Sequence, residues 1–178
     1  MKKSVLTLTL LSLTVTLLAA CANKPKADNP APAEVEATEV AAADMAPDFE
    51  LPNLQGSTTK LSSLRGKYVV LDFWGSWCVW CIRGIPNMKT YYAKYKDKME
   101  ILGVDCRDSE DDWKAAVAEH QLPWLQVRCP DEQLQTIAAQ YNVQGFPTKV
   151  VIDPNGKIAK VVVGEDPAFY TYLDELFK

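Results

Sequence analysis

Two cysteines three positions apart, Cys78 and Cys81, follow closely on Tyr68-Val69-Val70-Leu71-Asp72-Phe73-Trp74, a β-branched and aromatic run interrupted by a single acid. Such a run reads as a strand buried on both faces. Beyond the cysteines, Ile82, Ile85, Met88, Tyr92 and Tyr95 recur at helical spacing, with lysines at 89, 94, 96 and 98 available to the wet side. A strand must therefore give way to a helix within a few residues around Trp77 and Cys78. Residues i and i+3 share a helical face, so the two sulfurs can close a disulfide. The first of them falls where a helix leaves backbone N–H groups unpaired and where its dipole favours negative charge. Both conditions stabilise a thiolate, which makes Cys78 the expected nucleophile and Cys81 its resolving partner.

The rest of the chain supplies alternating strands and helices. Residues 46–51, Gly56 and the 61–67 segment read as short strands and turns leading to a helical turn. Pro86 is expected to kink the first helix. Residues 101–105 form the next strand, and a strand, helix, strand series implies a parallel pair with a right-handed crossover. Ser109 with Asp112 approximates a capping box before a helix with a Trp113, Ala116, Val117 stripe. Residues 122–129 read as extended, and Pro130-Asp131-Glu132 opens a helix carrying Leu134, Ile137 and Tyr141. Residues 149–152 and 157–163 are expected to pair antiparallel across the turn Asp153-Pro154-Asn155-Gly156. Asp166 as N-cap and Pro167 at the first helical position begin a final helix.

The first twenty residues carry the marks of export. Lys2 and Lys3 precede an apolar run from residue 5 to 18, shorter than the roughly 20 residues a spanning helix needs. Leu18-Ala19-Ala20-Cys21 resembles the lipobox of bacterial lipoproteins, which implies that Cys21 is a lipidated N-terminus; an ordinary secretory peptide is the plainer alternative. Residues 21–45 are rich in Ala, Pro and Glu, and 22–45 lack aromatics and hold five acids against Lys24 and Lys26. Such a segment reads as a tether. One domain is expected, 46–178. The net charge of −4 and the lack of basic clusters give no reason to propose nucleic acid as a partner.

A strand entering Trp-Cys-x-x-Cys, then a βαβ unit, a Gly-x-Pro element, a hairpin and a closing helix resembles thioredoxin. Trp77 precedes Cys78 as in the thioredoxin motif, and Pro86 matches the proline of its active-site helix. Asp72 matches its buried aspartate, and Gly145-Phe146-Pro147-Thr148 matches the segment with its cis-proline. The resemblance implies an α/β fold, a central mixed sheet flanked by helices. It also implies that Pro147 helps hold extended substrate polypeptide, with Trp77, Trp80 and Phe146 as further substrate-binding candidates. An insertion between the βαβ unit and Pro147, the Ala46-Pro47-Asp48-Phe49 opening and Leu61-Ser62-Ser63-Leu64-Arg65-Gly66-Lys67 look like the TlpA/ResA branch of membrane-tethered, extracytoplasmic thiol-disulfide oxidoreductases. The branch implies a disulfide-bearing protein substrate and an upstream thiol donor. It implies no cofactor and no metal.

The expected chemistry is thiol-disulfide exchange, with Asp72, in an otherwise apolar strand, as proton acceptor for Cys81. Val79-Trp80 between the cysteines departs from the family, which leaves the direction of electron flow open, with reductase preferred. Cys106 and Cys129 end extended segments and are expected to form a structural disulfide. A second redox pair and a zinc site shared with Cys78 and Cys81 are the alternatives. Trp74 is expected in the core, and His120 as structural or surface. A peroxiredoxin-like peroxidase shares the Ala-Pro-Asp-Phe opening, although Asp72 and Gly75 stand where its motif has Pro and Thr. A binding module with a structural Cys-x-x-Cys is the non-catalytic alternative.

Overall fold

The computed structural model describes residues 45–178. The export segment, Cys21 and residues 21–44 of the tether lie outside them. Met45, assigned to the tether, bridges Lys157, and the Ala46 N–H donates to the Gly156 carbonyl at 2.8 Å.

Chain order is β1 (Glu50–Pro52), β2 (Thr58–Lys60), a 3-10 turn (Leu61–Leu64), β3 (Tyr68–Trp74), α1 (Val79–Tyr95), β4 (Met99–Cys106), α2 (Glu110–Glu119), β5 (Leu125–Cys129), α3 (Asp131–Gln140), β6 (Thr148–Ile152), β7 (Ile158–Val163) and α4 (Pro167–Leu176). β1 and β2 pair as a small antiparallel ribbon, and the other five strands form one sheet in the order β5-β4-β3-β6-β7. β3, β4 and β5 run parallel, while β6 and β7 run antiparallel to their neighbours. The sheet is mixed, as the sequence suggested. β3 lies at its centre, hydrogen-bonded on both edges, which is why its run is apolar on both faces.

Register decides what each face presents. Leu71 and Phe73 stand beside Leu102 and Val104 under Ile137 of α3, Tyr141 and Phe49. Val70 and Ile101 face the other way, under Met88 and Tyr95 of α1 and Phe169 and Leu173 of α4. Side chains alternate along a strand, so Asp72 and Trp74 fall on the α1 side. There Trp74 clusters with Cys78, Cys81 and the Trp113, Ala116, Val117 stripe of α2. The insertion is thus α2 and β5, and β5 takes one edge of the sheet, where Asn53 of the N-terminal ribbon bridges Val127. A bridged edge is less available to other chains.

The helix caps follow the sequence. Ser109 Oγ accepts from the Asp112 N–H at 3.1 Å and Asp166 Oδ1 from the Ala168 N–H at 2.8 Å, with Pro167 next. α1 continues through Pro86, whose missing N–H removes one helical bond; Thr90 Oγ1 donates to the Pro86 carbonyl at 3.0 Å. Leu71 is fully enclosed at the sheet centre, so Leu71→Ala should lower stability by about 2–5 kcal/mol, read as a lower denaturation midpoint at unchanged m-value in a urea titration.

Candidate active site

β3 ends at Trp74, and the next four residues turn the chain into α1. Cys78 is the helix N-cap: its backbone is extended (φ −89°, ψ 100°), its N–H donates to the Gly75 carbonyl at 3.1 Å, and its Sγ accepts from the Cys81 N–H at 3.2 Å. The Cys78 sulfur therefore occupies the place that a Ser or Asp side chain usually takes. Cys78 and Cys81 are joined as a disulfide with Cα atoms 5.2 Å apart. The preceding loop is pinned from β4's end. Asp108 accepts from the Ser76 N–H at 2.7 Å and the Ser76 hydroxyl at 2.8 Å, and the Trp77 indole donates to the Cys106 carbonyl at 2.9 Å. A Cβ on Gly75 would stand 2.4 Å from Trp77 Nε1 and 2.9 Å from that carbonyl. No side chain fits there.

The outer face is apolar and open. Trp77, Val79 and Trp80 are exposed, Trp80 to 60%. Trp77, Cys78, Trp80, Arg107 and Phe146 line one groove. Arg107, with a left-handed backbone (φ 71°), lays its guanidinium 5.3 Å from the centres of both the Trp77 and Phe146 rings, which meet edge-on at 5.2 Å. Arg83 lies over Trp80 at 4.9 Å. The Phe146–Pro147 peptide is cis. Phe146 reaches the groove, whereas Pro147 is buried behind it, its carbonyl accepting from the Gly164 N–H at 2.7 Å. Sequence reasoning passed over Arg107, which has no motif around it.

The inner face is polar. Asp72 pairs in register with Lys149 of β6 on one side and Gly103 of β4 on the other. The space above Gly103 is taken by the Gln126 side chain, 2.4 Å from where a Cβ would be, and Gln126 Oε1 accepts from the buried Trp74 indole at 3.2 Å. Lys149, 2% exposed, makes an ion pair with Glu165 at 2.8 Å. Burial raises the Asp72 carboxyl above its ordinary range, with Lys149 opposing and Glu165 reinforcing the shift. Asp105, one register pair along on the same face, is pushed up to about 9 by burial and then by the neighbouring Asp108 carboxylate. Asp72 Oδ1, both Asp105 carboxyl oxygens and Gln126 Nε2 are buried without partners. Buried polar atoms in that state mark places held for something other than stability. Lys149, Glu165 and Asp105 were not singled out from sequence; a lysine opening the Val150-Val151-Ile152 run was the one available signal.

The expected second disulfide is absent. Cys106 and Cys129 are free buried thiols, although they are register neighbours on β4 and β5. Side chains on adjacent parallel strands rise side by side instead of converging, as a bridge requires, and the sulfurs turn to the Val104 and Pro130 carbonyls at 3.5 and 3.7 Å. Burial raises both thiols, Cys129 to about 11, which leaves them poor nucleophiles. They also belong to the α3-side core, across the sheet from Cys78 and Cys81. That placement argues against a direct sulfur relay and against a four-cysteine zinc site.

The sequence matches the AhpC/TSA family over residues 42–161. The chain belongs to that family. The thiol-disulfide oxidoreductase ResA of Geobacillus kaustophilus is 38% identical over 130 residues, 72% of this chain and 73% of the relative. ResA of Bacillus anthracis is 35% identical over 121 residues, 67% and 68% of the two chains. Among solved structures, the thioredoxin domain of a thiol-disulfide oxidoreductase from Bacteroides vulgatus superposes with a TM-score of 0.72 at 30% identity, covering 78% of this chain and 99% of that one. A thiol:disulfide interchange protein from Bacteroides sp. gives 0.69 at 32% identity, covering 76% and 89%. This family member is thioredoxin-like in fold and is a protein-disulfide oxidoreductase. Its Cys78–Cys81 disulfide is a Cys-x-x-Cys pair at the start of α1.

Between its ordinary value and about 9, folded Asp105 holds a proton that the unfolded chain has released, so the group makes stability fall as pH rises through that window. Asp105→Asn should therefore gain in Tm relative to the parent between about pH 5 and about pH 8. A Tm difference that stays constant with pH would refute the assignment.

Proposed function

We propose that this oxidoreductase reduces disulfides in extended polypeptides outside the cytoplasm, anchored to a bacterial membrane through a lipidated Cys21 and recharged by an upstream dithiol donor. The observation that carries the reading is the N-cap position of Cys78, whose sulfur receives a helix N–H and borders an open aromatic groove. The same features lower the free energy of a thiolate and offer apolar contact to a substrate. Cys78 attacks one substrate sulfur, giving a mixed disulfide and releasing a thiolate. Cys81 then attacks Cys78 Sγ, releasing the second substrate thiol and closing the disulfide. Asp72, buried on the α1 side of β3, takes the Cys81 proton directly or through water.

Trp77, Trp80 and Phe146 form the walls on which substrate lies, with Pro147 fixing the backbone of the segment that presents Phe146. Arg107 adds a guanidinium edge to that wall. Among the described residues no helix is long and apolar enough to cross a membrane, so attachment on this reading rests with Cys21. A peroxidase finds little support, because Gly75 occupies the position of the peroxidatic Thr and has no room for a side chain. A purely structural Cys-x-x-Cys is separated from the redox reading by insulin reduction with dithiothreitol, which a staple leaves unaccelerated.

A reduction potential near about −270 mV would support the reductase direction and one near about −120 mV an oxidant. Cys81→Ser should accumulate the mixed disulfide. Asp72→Asn should leave its formation intact and slow resolution by about 10²-fold or more, measured by quenched-flow trapping; unchanged resolution removes Asp72 from the mechanism. Mass spectrometry of the mature protein should find a diacylglyceryl-modified Cys21 at the N-terminus, and an unmodified one would end the anchor reading.

A further inference from the structure

Asp72 has charged neighbours that the exchange chemistry as written does not use. Lys149 stands directly opposite it on β6, at 2% exposure, and its ammonium is hydrogen-bonded to Glu165 at 2.8 Å. Both Glu165 oxygens are engaged, Oε2 by Lys149 and Oε1 by the Tyr170 hydroxyl. The Glu165 carboxylate also lies against the redox helix. A Cβ on Gly84, one turn beyond Cys81, would stand 2.3 Å from Glu165 Oε2, so only a glycine lets the carboxylate reach under α1. Two acids and one base therefore share a buried space. If all three ionise, one negative charge remains uncompensated in a medium where that is costly. With Lys149 and Glu165 neutralising one another, Asp72 is the member left to carry a proton.

We infer that Lys149 and Glu165 are positioning residues for Asp72: their ion pair fixes where the ammonium stands and thereby sets how readily Asp72 takes and returns the proton of Cys81. This inference deepens the reading of Asp72 as proton acceptor. When the dithiol reduces a substrate disulfide, the Cys81 sulfur bonds to Cys78, the substrate leaves with two electrons as two thiolates that take protons from water, and the Cys81 proton passes to the Asp72 carboxylate. When a donor dithiol reduces the Cys78–Cys81 disulfide, Cys81 departs as a thiolate and Asp72-COOH returns the proton. Lys149 favours the carboxylate stage of this cycle. Glu165 restrains it by keeping the ammonium on itself.

The other groups facing Asp72 leave room for this division. On the sheet face they are Asp105 of β4, neutral Gln126 over Gly103, and Arg128 of β5, the register partner of Asp105. The buried side of α1 offers Cys81, Gly84, Ile85, Met88 and Tyr95, with no acidic or basic side chain among them. From the α4 end come Glu165 and Tyr170. Lys149 and Glu165 are the charged groups that act on Asp72 directly, with opposite signs.

The test is a carbon-13 titration of the Asp72 carboxyl in the full oxidised protein. Glu165→Gln retains an acceptor for Tyr170 and releases Lys149 toward Asp72; the Asp72 midpoint should fall by about one pH unit or more. Lys149→Met should move it the other way by a similar amount. The pH profile of the resolving step should shift with each. Opposite shifts are not what general loosening of a core produces. If a single variant does not fold, the double variant Lys149→Met/Glu165→Gln removes both charges together, and the midpoint should rise, because Lys149 is the direct register partner of Asp72 while Glu165 approaches from the α4 end. Midpoints that stay with the parent in the singles, or in the double where a single is lost, overturn the inference. Asp72→Asn separates the two levels: an acid limb that persists without Asp72 refutes its role as acceptor, while the carboxyl titration still judges Lys149 and Glu165.

Discussion

The first turn of a helix has N–H groups that no residue inside the helix can satisfy, and in α1 one of them is answered by the sulfur of Cys78. Much of the site depends on that bond. A cysteine serves as N-cap only if the chain arrives extended and then turns sharply, which requires a rigid strand ending one short loop earlier. β3 is such a strand because it is paired on both edges and covered on both faces. The loop keeps its shape through contacts to the end of β4, with Asp108 holding Ser76 and the Cys106 carbonyl holding Trp77. Gly75 is where Trp77 closes over the backbone.

The sheet separates two kinds of interior. On the α3 side the core is apolar, and Cys106 and Cys129 are part of it as small buried hydrophobes. On the α1 side the sheet carries Asp72, Asp105, Gln126 and Lys149 beneath the disulfide, several of their polar atoms without partners. A fold selected for stability alone would fill those positions with aliphatic residues. Their concentration next to the Cys78–Cys81 disulfide matters for the proposed proton transfer, because charge in a poorly solvated place responds strongly to its neighbours.

Much of the architecture was legible because it rests on local rules. The buried run of β3, the amphipathic spacing of α1, the Ser109 and Asp166 caps and the Asp153 turn each declare themselves within a few residues. The closeness of Cys78 and Cys81 was legible for the same reason, since three-residue spacing at a strand-to-helix junction is itself the geometry. The Cys106–Cys129 bridge was misjudged. Sequence placed both at strand ends, but whether two neighbouring side chains converge depends on strand direction and rotamer, which no spacing encodes.

Sequence by itself determined the chemistry: two thiols at a helix start, an acid in an apolar strand, and the order of strands and helices that delivers them. Tertiary structure decided the surroundings. Asp72 and Lys149 are far apart along the chain and meet only because β6 pairs with β3 in one register, and Glu165 reaches them only where Gly84 leaves space against α1. Arg107 likewise joins the groove because the end of β4 lies beside the loop that follows β3. Electrostatic interactions act through space and depend on the medium between the charges, so the proton affinity of a buried group is fixed by the folded arrangement and not by its neighbours in sequence.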